Sequence, residues 1–269
     1  MDMSWLTGII SPTYSLGVKI WNQVLLLCLY GGIIGPADYP QAWNYMTDTL
    51  NPFFVAVSAT MLNMFFYIGF CRQVGNFKEN MTLETGLNIF MKMILGNVGI
   101  NYALYFAKWI FSISGLSARV LMDLSDITVD LYDLGAGELV FYSFFGIIFL
   151  VVAICSAATV FITMYTRIIH LYLLAATGPL AVSCIPGGPG IQNAAGAWIK
   201  ELIAKSCSII AIVLGVALIS KMVTSDGFFN LTLEQLAPLA KYVKNMFIMM
   251  LIAAFVKGAD SFVKRTFGL

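Results

Sequence analysis

Four aspartates, Asp123, Asp126, Asp130 and Asp133, recur at 3-4-3 spacing, which puts them on one face of a helix. Leu124, Ile127, Leu131 and Leu134 repeat that spacing one residue later, so an acidic stripe runs beside an apolar one. Carboxylates in such a row could hold a cation or meet a basic protein surface. The loop geometry of an EF-hand is missing, which removes the calcium reading. What remains is a solvated face or a docking surface for a basic partner. A second set has the opposite sign. Arg167, Lys200 and Lys205 flank the breakers Gly178-Pro179 and Pro186-Gly187-Gly188-Pro189-Gly190. Cations around irregular backbone could meet phosphate or an acidic protein. They could equally be the positive charges that anchor a membrane protein on its cytoplasmic side.

Other reactive side chains are sparse. His170 is the single histidine, so a histidine-based metal site is not expected. The five cysteines, Cys28, Cys71, Cys155, Cys184 and Cys207, are scattered without a CxxC pair and read as small buried hydrophobes. No GxxxxGK[ST], HExxH or GxSxG sequence is present, so neither ATP hydrolysis nor a known hydrolase chemistry is expected. No enzyme, cofactor or metal is predicted, and membrane lipids are the expected small-molecule neighbours.

The elements that must carry these residues are apolar. The 269 residues are 59% hydrophobic and 11% charged, with a mean hydropathy of +0.85. Soluble domains carry about 25% charged residues. The net charge of +1 offers no basic field for nucleic acid over the whole surface. Asp2 stands where a signal peptide has a basic region, so the chain is expected to insert uncleaved.

The predicted fold is an all-α polytopic membrane bundle of about five spans, with amphipathic and re-entrant helices. Residues 1–51 read as an N-terminal part. Within it, 18–35 forms an interfacial or shallow helix (a full span being the alternative), and a polar loop runs from Pro36 to Asn51. Residues 52–113 hold the first two spans, the second interrupted near Gly96 and Gly99. Residues 114–138 carry the acidic helix, and 139–269 form a C-terminal bundle with its break at 178–190. From Leu139 to Ile185, 47 residues contain one charge, Arg167. A span needs roughly 20 apolar residues. The run is therefore expected to fold back near Arg167, making 168–185 re-entrant or interfacial. Cys207, Ala211 and Gly215 recur at four-residue spacing, a small face suited to close helix packing, within the chain or between subunits.

Charge orients the spans. With 52–71, 84–113, 139–165, 201–222 and 242–258 crossing, and the C-terminus inside, nine basic residues fall inside and six outside. If 168–185 also crossed, the division would be seven and eight. The rule thus favours five spans, with the acidic helix outside.

Three stretches resemble the TrbL-type polytopic subunit of conjugative type IV secretion systems, in its short version from Gram-positive mobile elements. They are Pro40-Gln41-Ala42-Trp43-Asn44, the run Tyr165 to Leu180 followed by the Gly/Pro break and Trp198-Ile199-Lys200, and the tail from Lys257-Gly258-Ala259-Asp260 to Gly268. Gly178 stands where similar proteins often have another small residue. The resemblance implies a non-enzymatic platform or channel subunit in the bacterial cytoplasmic membrane. It would be homo-oligomeric and work with a secretion ATPase, a coupling ATPase and a bitopic assembly factor. Its cargo would be relaxase-bound single-stranded DNA, touched transiently if at all. On that reading Gly178, Pro179, Pro186, Gly187, Gly188 and Gly190 form a hinge or contact surface. Arg167, Lys200 and Lys205 are basic contacts, and the four aspartates dock a partner outside. A small-solute transporter or ion channel is the alternative, and it expects paired broken helices in corresponding halves.

Overall fold

The structure is a computed structural model that describes residues 4–33, 39–76, 83–125, 143–188, 190–224 and 237–268. Every element among them is helical. The order is α1 (Ser4–Ile33), α2 (Pro40–Tyr45), a π-helical turn (Met46–Leu50), α3 (Asn51–Asn76), α4 (Leu83–Ser125), α5 (Ser143–Ser183), a 3-10 turn (Ile185–Gly187), α6 (Asn193–Thr224) and α7 (Ala237–Thr266). Five stretches are long and apolar enough to cross a membrane: Pro40–Arg72, Gly86–Met122, Gly146–Gly187, Asn193–Val223 and Val243–Thr266. The all-α polytopic class follows, because a helix satisfies its own backbone groups where no water can.

Several helix boundaries differ from the sequence reading. The expected fold-back at Arg167 is absent, since α5 runs unbroken for 41 residues. At 1.5 Å per residue that is about 60 Å, twice the roughly 30 Å hydrocarbon thickness, so one long helix absorbs the apolar excess that a re-entrant segment was invoked to explain. An unbroken helix crosses once, and the number of spans stays at five. Gly178 and Pro179 lie inside α5 rather than at a break. Pro179 cannot donate to the Ala175 carbonyl, but a proline removes only that one rung.

Helix α4 passes through Gly96 and Gly99 without interruption and continues to Ser125, so residues 117–125 extend a span instead of starting a separate acidic helix. Upstream, residues read as an irregular N-terminus belong to α1, and much of the expected polar loop is α2 and the π turn leading directly into α3. Met46, at the start of that turn, is buried, which ties the segment to a core that polarity alone conceals.

The chain divides into two compact units interleaved along the sequence. Unit 1 comprises Met1–Ile33, Leu116–Thr166 and Ser208–Phe262. Its core joins Trp21, Leu25 and Leu29 of α1 to Phe149, Ala153 and Val160 of α5, Val213 and Val216 of α6, and Met249 and Ile252 of α7. Asn245, fully buried, donates from Nδ2 to the Tyr14 hydroxyl at 2.8 Å, a polar tie between α7 and α1. Helix α1 includes residues 18–33, read above as an interfacial helix with a full span as the alternative, and Trp21 is wholly enclosed.

Unit 2 comprises Ile34–Gly115, Arg167–Cys207 and Val263–Leu269. Its core gathers Met46, Leu62, Ala103, Ala107, Phe111, Leu171, Ala175, Trp198 and Leu202. Glycines let its helices approach closely. A methyl group built on Gly96 would stand 2.6 Å from Leu62 Cδ1 of α3, and one on Gly99 would stand 2.6 Å from Val182 Cγ1 of α5. These residues were read as an interruption because glycine is a helix breaker in water. In this helix they are the places where neighbours fit.

Candidate functional site

Part of the stretches quoted for the resemblance, residues 167–180 and 198–200, lies in unit 2, where α5 ends, turns and becomes α6. The turn is built from backbone. Gly187 N donates to Cys184 O at 3.0 Å and Gln192 N to Gly188 O at 3.1 Å. Gly188 and Gly190 take φ of +80° and +91°, which side-chain-bearing residues rarely adopt. Pro186 is buried against α3 so closely that any side chain at Gly69 would collide with the Pro186 carbonyl. Gly187 is enclosed by Ile191. The turn is therefore a fitted contact between α3 and the hairpin. Among the described residues of the turn, Gly190 is the exposed one, with nothing within 4 Å of where a Cβ would stand.

Gly178 has a different task. A methyl group there would stand 2.7 Å from the Trp198 ring. Trp198 is buried and donates from Nε1 to the Leu174 carbonyl at 2.8 Å. The indole thus pins α6 to α5 over a glycine that leaves room for it. Trp43 is half-buried with Lys108 Nζ 5.7 Å from its ring centroid, a cation–π contact, while Trp109 is exposed.

The three predicted basic contacts separate. Arg167 is 8% exposed and donates from Nε to the Lys205 carbonyl and from Nη2 to the Ser206 carbonyl, both at 3.2 Å. It is a buried strut between α5 and α6 and is not available as a surface contact. Its guanidinium is satisfied inside the protein, which removes the reason for the chain to turn there. Lys205 is half-buried beside this strut. Lys200 is exposed and lines a cavity of about 590 Å³ with Lys92, Gln192, Asn193 and Ile185.

Lys92 is the site residue that sequence reasoning missed. Its one signal was a lysine well inside an apolar stretch with no obvious acid partner. Lys264 of α7 pairs with Glu201 of α6 at 2.6 Å, so the end of α7 also meets the start of α6. Both side chains are about a third exposed, where such pairs contribute about 0–1 kcal/mol.

The remaining predicted residues are dispersed. Asp123 falls in the last turn of α4, and Asp126, Asp130 and Asp133 lie outside the described residues. Gly215 is buried where any side chain would strike the Phe255 ring, so it serves packing of α6 on α7 within the chain. Cys207 and Ala211 are half-buried. No cluster of three His, Cys, Asp or Glu side chains suited to a metal occurs among the described residues. Compared with protein-family models, curated proteins and solved structures, the chain matches none.

Proposed function

We propose that this chain is a membrane platform or channel subunit of a conjugative type IV secretion system, helping relaxase-bound single-stranded DNA cross the bacterial cytoplasmic membrane. The observation that carries the reading is the α5–α6 hairpin. The resemblance is strong mainly over residues 160–222, and within that stretch Arg167, Gly178, Pro186, Gly187, Gly188 and Trp198 each have a structural task. A rigid tip at the end of two long helices suits a part that holds other subunits in place. The continuity of α4 through Gly96 and Gly99 removes one of the two breaks that a transporter would pair. Partners in this role are a secretion ATPase, a coupling ATPase, a bitopic assembly factor and further copies of the chain. The distribution of basic residues favours a cytoplasmic C-terminus.

Deletion of the gene from its element tests the reading. DNA transfer should stop while growth continues, and a plasmid-borne copy should restore transfer. Undiminished transfer from the deletion strain would refute the assignment.

A further inference from the structure

We infer that the cavity between the start of α4, the 185–192 turn and the start of α6 is a binding site for the headgroup of an anionic phospholipid. Lys92 and Lys200 come from helices more than a hundred residues apart in sequence, yet both line this one space. No hydrogen bond or ion pair reaches either ammonium among the described residues. Gln192 and Asn193 add amide groups beside them, and Asn193 opens the 32-residue α6, whose N-terminus is the positive end of its dipole. Two cations, neutral donors and the positive end of a long helix dipole all favour an anion with several acceptor oxygens.

The apolar surroundings choose among anions. Around Lys92, α4 exposes Leu87, Phe90, Met91, Ile94, Leu95 and Val98, with Phe90 and Leu95 each 58% exposed. Leu95 lies one turn from Lys92 on the same face. An inorganic phosphate or a nucleic-acid backbone would leave this surface bare. A lipid places its phosphate on the lysines and its acyl chains along the helix. The volume of about 590 Å³ is of the size that takes a headgroup. Gly196 lines the cavity and has nothing within 4 Å of where a Cβ would stand, so the wall there is open. The site is independent of the secretion reading: it takes lipid whether or not the chain moves DNA.

Native mass spectrometry of the detergent-solubilised full chain tests this with dioleoylphosphatidylglycerol and dioleoylphosphatidylcholine, which share acyl chains and differ in charge. Wild type should retain the anionic lipid about tenfold more tightly, the worth of one good charge-assisted contact. Lys92→Gln with Lys200→Gln should abolish the preference. Gly196→Leu should weaken the anionic lipid without removing a charge, by filling the cavity. Both variants should keep wild-type helicity by circular dichroism, since Lys200 is exposed, Lys92 is half-exposed and the Gly196 side is open. Equal retention of the two lipids by wild type would overturn the inference, as would a preference that survives both variants. Displacement of the lipid by an equimolar single-stranded oligonucleotide or by inorganic phosphate would also overturn it, by assigning the lysines to another anion.

Discussion

Arg167 crosslinks two helices by giving its Nε and Nη2 protons to successive carbonyls, those of Lys205 and Ser206. Such a fork suits a guanidinium and not an ammonium, whose donors share one nitrogen. The net stability it confers is a difference of opposed terms. Charge-assisted hydrogen bonds are worth about 1.5–3 kcal/mol each, while burying a cation costs several kcal/mol. Both carbonyls also lie within α6, where intrahelical bonds remain to them. Arg167→Met should therefore alter stability by about 1 kcal/mol or less, because it removes the charge together with its desolvation. Arg167→Glu would force a carboxylate against two carbonyl oxygens and should destabilise by about 3–5 kcal/mol. Thermal unfolding in detergent, followed by circular dichroism, separates the two. If Arg167→Glu melted like wild type, the residue would face solvent and the buried-strut account would be wrong.

At the scale of the element, Pro179 and Pro186 look alike in sequence and act differently in the fold. Pro179 sits inside α5, where proline is the least favourable helix residue, about 3 kcal/mol worse than alanine. Pro186 is the middle residue of the 3-10 turn, with its carbonyl packed on α3 at Gly69. Pro179→Ala should raise the melting temperature by restoring the bond to Ala175, with a gain of about 1 kcal/mol after the lost ring packing is counted. Pro186→Ala should lower it, because the buried ring that packs beside Gly96 of α4 is gone. A fall for Pro179→Ala would mean that the packing of the buried ring outweighs the restored bond.

The same contrast explains what the sequence made legible. Helices α3 and α6 were readable because apolar length alone defines a span. The run through α5 was not, because its 47-residue apolar stretch exceeds two spans and Gly178 reads as a breaker until Trp198, twenty residues later, is seen resting on it. Gly96 and Gly99 were misread for the same reason, since their partners Leu62 and Val182 lie on other helices. Lys200 was picked out by its neighbours in sequence, and Lys92 was not, because the cavity that unites them exists only in three dimensions.

For the whole molecule, the question is which side of the membrane each helix end occupies. Replacing a two-segment run at 139–185 by the single helix α5 leaves five candidate crossings, so the expectation of nine basic residues inside and six outside is unchanged. With an odd number of crossings the two ends of the crossing segment lie on opposite sides. The start of α4, the α5–α6 turn and the end of α7 then share one side. Within unit 2 that agrees with the Lys264–Glu201 pair, which joins α7's last turns to α6's first, and with the cavity shared by Lys92 and Lys200. The end of α4 belongs to the opposite side. All five cysteines are free thiols, so they can be replaced without breaking a disulfide. Ser125→Cys and Ser261→Cys, introduced singly into such a background, place one thiol at the end of α4 and one near the end of α7. A membrane-impermeant maleimide applied to intact cells should label position 125 and spare position 261 until the cells are opened. Labelling of 261 alone would invert the orientation and move both cavity lysines to the outer face. Labelling of both positions would require an even number of crossings between them, and one of α5, α6 or α7 would then have to lie outside the membrane despite its apolar length.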